Sequence, residues 1–98
     1  MQTKIEIFKN IKKAALILRA VDNPKRVKML NFISNNPGST VTDIFIAMRC
    51  EQSEASQNLE KLRNAGFVES ERAGKFIKYN ITDKAFEIID SINKFNKN

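Results

Sequence analysis

Apolar residues recur every three or four positions through most of this chain, and one later stretch departs from that rhythm. Ile5, Phe8, Ile11, Ala15 and Leu18 follow the i, i+3, i+4 spacing of a single helix face. They predict a helix over residues 3 to about 20. Ile7, Ala14 and Leu16 widen its apolar surface beyond one stripe. A helix apolar on more than one side needs more than one neighbour to cover it. Either its own domain buries it or a partner chain shares it.

Asp22-Asn23-Pro24 closes that helix and opens the next, with Asn23 as N-cap and Pro24 at the first helical position. Val27, Leu30 and Ile33, with Met29 nearby, are its expected buried face, and Asn35-Asn36-Pro37-Gly38 stops it. A third helix is predicted from about Thr42 to Arg49, capped by Thr42 and burying Val41, Ile44, Phe45 and Met48. Cys50-Glu51-Gln52 then turns into a fourth, capped by Ser53 and ended by Gly66. Ala55, Leu59 and Leu62 form its inner stripe, which sends Glu54, Gln57, Asn58 and Lys61 outward.

After Gly66 the period shortens to two. Phe67 to Arg72 and Lys75 to Ile81 read as strands joined at Ala73-Gly74, with Ile77, Tyr79 and Ile81 alternating against Phe76, Lys78 and Asn80. A last helix starts near Thr82-Asp83, with Phe86, Ile89, Ile92 and Phe95 along one side and Ile88 widening the stripe. The order is four helices, a hairpin and a helix: a mainly α chain with a small β-hairpin. A helix followed directly by a hairpin is the layout of a winged helix-turn-helix, whose helix reads the DNA major groove. The whole of 1–98 is expected to be one domain, with the helix-turn-helix at 42–66 and the wing at 67–82. The outermost helices, 1–20 and 83–98, carry more apolar surface than so small a domain hides. They are expected to dimerise through Ile5, Phe8, Ile11, Ala15, Phe86, Ile89 and Ile92. The competing reading packs them on each other within one chain.

Composition narrows the function. The 98 residues include no histidine and one cysteine, Cys50. That removes most zinc sites and most nucleophile–base pairs, so no enzyme, no cofactor and no metal is expected. A lone cysteine fits a reducing compartment, and the absence of a long apolar run or signal-peptide pattern points to a soluble cytoplasmic protein with no membrane partner. The net charge of +6 favours a polyanionic partner, nucleic acid before membrane. Yet residues 1–28 carry eight basic and two acidic side chains, whereas the rest carry nine of each. The expected reading head is neutral.

Its chemistry still suits double-stranded DNA. Asn and Gln present a donor and an acceptor together, matching the adenine edge, so Gln57 and Asn58 are the candidates for base readout. Gln52, Ser53 and Ser56 sit at the helix entrance within reach of phosphates or base edges. Lys61 and Arg63 lie further along, towards the backbone. Arg72, Lys75 and Lys78 flank the hairpin turn as a phosphate-gripping wing needs. The competing reading is an ordinary solvated polar face on a winged-helix protein-interaction module.

Several segments resemble the ArsR/SmtB family of bacterial winged-helix repressors. Asp22-Asn23-Pro24-Lys25-Arg26 is similar to the family's D-P-x-R opening of the second helix. The ungapped run from Asp43 to Leu59 ends in Glu51-Gln52-Ser53-Glu54-Ala55-Ser56-Gln57-Asn58-Leu59, similar to S-Q-S-x-x-S-x-x-L. Leu62 to Val68 resembles L-R-x-A-G-L-V, and Arg72-Ala73-Gly74-Lys75 with Tyr79 resembles the wing's R-x-G-R and following Tyr. The resemblance implies a homodimer, an inverted-repeat operator and repression relieved by a signal. The family's switches are missing, however. Thr40 and Thr42 stand where metal sensors carry a C-x-C pair, and the last helix has Asp90 and Glu87 but no histidine. Cys50 lacks the second cysteine of redox sensors and reads as a small turn residue. Phe76 replaces a commonly basic wing position, either to wedge against sugar or as spare surface.

Overall fold

The structure is a computed structural model that describes the backbone of residues 4–96 and the side chains of 12–88 and 90. Five helices and three strands run in the order α1 (Lys4–Val21), α2 (Pro24–Asn35), β1 (Ser39–Thr40), α3 (Val41–Met48), α4 (Gln52–Asn64), β2 (Val68–Ala73), β3 (Phe76–Ile81) and α5 (Asp83–Asn96). None of the described helices is long and apolar enough to cross a membrane.

Local chemistry sets the boundaries. Asn23 caps α2 as expected: its side chain accepts from the backbone N–H of Lys25 at 2.9 Å and of Arg26 at 3.3 Å. At α3 the expectation shifts by two residues. Thr40, not Thr42, is the N-cap, and it forms a reciprocal capping box with Asp43. The box wins because a residue three positions on must return the bond, and Asp43 stands there for Thr40. Helix α4 begins at Gln52 with Glu51 as N-cap and no side-chain cap bond, so Ser53 lies inside its first turn.

Gly66 ends α4 as the sequence indicates. Its φ of +88° lets the Phe67 N–H reach the Leu62 carbonyl at 2.9 Å and its own N–H reach Arg63 at 3.0 Å. This paired closure satisfies two of the orphan carbonyls at the helix end. It also delivers Phe67 into the interior, where it is fully buried.

The sheet has one strand more than expected. Ser39 pairs with Tyr79 and Thr40 with Lys78, giving the antiparallel order β1-β3-β2. The hairpin turn is Gly74-Lys75 rather than Ala73-Gly74, because Ala73 pairs with Phe76. Positive φ at the first central position alone, +63° at Gly74, is the type II′ pattern that matches strand twist.

Met29, Leu30, Ile33, Ile44, Ala55, Leu59, Leu62, Phe67 and Val68 form the core between α2, α3, α4 and the sheet. Val27, expected inside, is exposed, while Arg26 is buried. The alternation expected along β3 is weak. Ile77 is 47% exposed because the hairpin tip extends beyond the helices that could cover it.

Candidate nucleic-acid interface

Helix α4 positions the central residues. At 100° per residue, its buried Ala55, Asn58, Leu59 and Leu62 span one arc. Ser53, Gln57, Glu60 and Asn64 fall opposite, with Gln52, Ser56 and Arg63 on one flank and Glu54 and Lys61 on the other. Gln52, Ser53, Ser56 and Gln57 are all exposed in the first turns of the helix. They bring amides and hydroxyls to one surface, as base and phosphate contact requires.

Asn58 does not join them, contrary to expectation. It is 9% exposed, and its Oδ1 accepts from Nη1 of Arg26 at 3.2 Å. The physical reason is its position three residues after Ala55 and four before Leu62, on the buried stripe itself. Arg26, 7% exposed, supplies the partner that makes a buried amide tolerable. The same guanidinium donates from Nε to the Ala20 carbonyl and from Nη2 to the Arg19 carbonyl, each at 2.8 Å. These carbonyls belong to the last turn of α1, where the helix dipole favours a cation. Arg26 therefore fastens α1 and α4 to α2. Neither partner was foreseen as buried, since both read as polar surface and lie 32 residues apart.

The acids on α4 are paired. Glu60 receives Nη2 of Arg63 at 2.8 and 2.9 Å, and Glu54 receives Nζ of Lys25 at 2.8 Å. The hydrogen bond to Glu54, then its charge, raises the Lys25 pKa, and Glu60 does the same for Arg63. Arg63 is thus exposed but already engaged. Lys61 lines a cleft with α1 residues rather than the outermost face.

The wing cations do not share one surface. Residues two apart in a strand, and residues directly opposite across the hairpin, share a face. Arg72 is therefore on the side of Ile77 and Tyr79, whereas Lys78 is on the other side, opposite Glu71. Lys75 occupies the turn itself, its Nζ 5.8 Å from the centroid of the Phe76 ring. Phe76 is 52% exposed. Burial raises the pKa of the Tyr79 phenol, on the inner side of the hairpin. Arg49, which the sequence reading left out, is an exposed cation in the turn between α3 and α4, at a left-handed φ of 54°. No hydrophobic or charge pattern marks such a turn residue.

Of the expected dimer residues, Ala15 is partly exposed and Phe86 is 61% exposed. Leu18, on the same stripe as Ala15, is 57% exposed. Ile5, Phe8, Ile11, Ile89 and Ile92 lie outside the described side chains. Cys50 is a partly buried free thiol. Among the described residues no group of three or more His, Cys, Asp or Glu could hold a metal ion.

Comparison with known proteins gives this geometry a lineage. A family profile described as bacterial regulatory protein, arsR family, matches residues 23–70. The chain is 32% identical over 76 residues to the HTH-type transcriptional regulator YgaV of Escherichia coli K12, covering 78% of this chain and 77% of that protein. It is 41% identical over 69 residues to the HTH-type transcriptional regulator NmtR of Mycobacterium tuberculosis H37Rv, covering 70% of this chain and 57% of that one. The chain thus spans little more than half of NmtR. The solution structure of a homodimeric winged helix-turn-helix DNA-binding domain from Mycobacterium bovis superposes with a TM-score of 0.82 at 22% identity, over 98% of this chain and 88% of that one. The fold is a winged helix-turn-helix, and the chain belongs to the ArsR family of bacterial regulatory proteins, which are transcriptional regulators and not enzymes.

Proposed function

We propose that this chain is a homodimeric, sequence-specific regulator of transcription that acts in the cytoplasm and represses by occupying an inverted-repeat operator in duplex DNA. The observation that carries the reading is the exposed set Gln52, Ser53, Ser56 and Gln57 at the start of α4, followed by a hairpin with Lys75 at its turn. In this reading Gln57 provides base readout with help from Gln52, Ser53 and Ser56. Lys61, Arg63, Arg72, Lys75 and Lys78 serve the backbone, and Arg49 joins them from the turn. The paired Glu60 makes Arg63 a weaker phosphate partner than Lys75, since the bond to Glu60 must first be given up.

Dimerisation is supported by the exposed Leu18 and Phe86 on the terminal helices. The boundaries that follow are α1 and α5 for assembly, α3 and α4 for the helix-turn-helix, and β2 and β3 for the wing. A chain with no histidine and one cysteine offers poor transition-metal ligation, so the signal in this reading is not such a metal.

The test is enrichment of bound duplexes from a random pool, followed by fluorescence titration across salt. Gln57→Ala should flatten sequence preference. Lys75→Ala should weaken all sequences alike and reduce the magnitude of the log–log salt slope by about 0.9. Failure to enrich any duplex, with a stable dimer on sizing, would favour a protein-interaction module, the reading that the internally paired acids of α4 suit.

A further inference from the structure

A cleft of about 180 Å³ opens between α1, α2 and α4, lined by Leu16, Arg19, Ala20, Arg26, Lys61 and Asn64. Three of these residues are cationic and none is acidic. Among the described residues, neither Arg19 nor Lys61 takes part in an ion pair. Arg26 adds an independent observation. Its guanidinium is buried, yet its partners are two backbone carbonyls and an amide oxygen, with no carboxylate. A buried cation normally meets a counter-charge, because the interior solvates it poorly. Here the helix dipole offsets part of that charge, and the rest projects into the cleft.

We propose that this cleft binds a small organic anion, a phosphate or carboxylate carried on a short apolar body. The anionic oxygens meet Arg19 and Lys61 at the rim, in the positive field of Arg26. Asn64 offers an amide donor. Leu16 and Ala20 supply the apolar wall that distinguishes such a molecule from inorganic phosphate. The site joins the last turn of α1 to the far end of α4, so occupancy links the dimerisation helix to the reading helix. It also draws Lys61 away from DNA. Capture of the anion does not depend on DNA binding; its regulatory consequence rests on the function proposed above.

The experiment is a nitrogen-15 NMR titration of the full chain, free of DNA, with phenyl phosphate, and with benzyl alcohol and inorganic phosphate as comparisons. The expected result is saturable shifts at Leu16, Arg19, Ala20, Lys61 and Asn64 with phenyl phosphate. Benzyl alcohol should produce none, and inorganic phosphate should bind more weakly. Arg19→Gln and Lys61→Gln should each weaken phenyl phosphate by about tenfold, the loss expected for one hydrogen bond to a charged group. Lys28→Gln, outside the cleft, should not change the affinity. Unsaturable shifts spread over many lysines, or equal affinity in both cleft variants, would overturn the site. Shifts at these residues from duplex DNA but not from phenyl phosphate would also overturn it, and would assign the cleft to a backbone phosphate. Where a duplex is bound, phenyl phosphate should weaken it severalfold, and an unchanged affinity would overturn the link to α4. Loss of DNA binding altogether would leave the DNA-free titration standing, so the two failures are distinguishable.

Discussion

Replacing Asn58 separates a structural role from a reading role. In Asn58→Ala the Arg26 guanidinium loses its acceptor at 3.2 Å, in a site where both residues are buried. A hydrogen bond to a charged group contributes about 1.5–3 kcal/mol, and the stranded donor stays out of water. The expected loss is about 2 kcal/mol. For a domain of this size each kcal/mol lowers Tm by about 4–8 °C, so the transition should fall by about 10 °C. Arg26→Ala should cost more, about 3–5 kcal/mol, because it also strands the Arg19 and Ala20 carbonyls and releases α1. The assay is urea and thermal unfolding followed by circular dichroism at one fixed protein concentration, since dimer formation would make Tm concentration-dependent. DNA titrations below the transition should show little change in the ratio of specific to non-specific affinity for Asn58→Ala. The reasoning is refuted if Asn58→Ala stays within about 0.5 kcal/mol of the parent, the usual range for a surface change, while losing base discrimination.

Other consequences are equally direct. Gly66→Ala places a Cβ at φ +88° with open space around it, so the penalty is backbone strain alone, about 1–2 kcal/mol by unfolding. Phe86→Asp puts an unpaired charge on the proposed dimer face and should weaken self-association at least about a hundredfold, read by analytical ultracentrifugation; an unchanged dimer would move the interface elsewhere. The Tyr79 pKa is raised by burial, so its contribution to stability is full below the ordinary phenol range and is lost as pH rises through the folded value. Tyr79→Phe should therefore reduce the loss of stability on the alkaline side, measured by urea midpoints across that range.

Helix existence and order were legible because burial of Ile33, Ile44, Leu59 and Leu62 imposes a period that needs no tertiary information. Asn23 and Gly66 were legible for a related reason: their caps are closed by residues within five positions. What was missed depended on distant partners. Asn58 reads as outward unless Arg26 is known to face it. Strand β1 is two residues long and exists because β3 lies beside it, so it carries no period of its own. Thr42 lost the cap to Thr40 through Asp43, a local competition that the sequence did contain. The separation of Arg72 from Lys78 was also available, since it follows from strand alternation once the turn is set at Gly74-Lys75.

Charge was the feature that sequence segments described least well. Counted by segment, the reading head is neutral and the basic residues lie in the first 28 positions. In the fold that division dissolves. Lys25, from the basic segment, sits 2.8 Å from Glu54 on α4, and Arg19 and Arg26 share a cleft with Lys61. The relevant electrostatic unit is therefore the surface within a Debye length, about 10 Å at 0.1 M salt, and it includes residues far apart in the chain. Exposed pairs such as Lys25–Glu54 contribute little to stability, yet they neutralise an acid that would otherwise repel phosphate near the helix entrance. That leaves the hydroxyls and amides of Gln52, Ser53, Ser56 and Gln57 as the distinctive chemistry of the tip. A polar tip with its acids neutralised, and with cations set back on the turn, wing and α1, favours discrimination by contact geometry over affinity by charge.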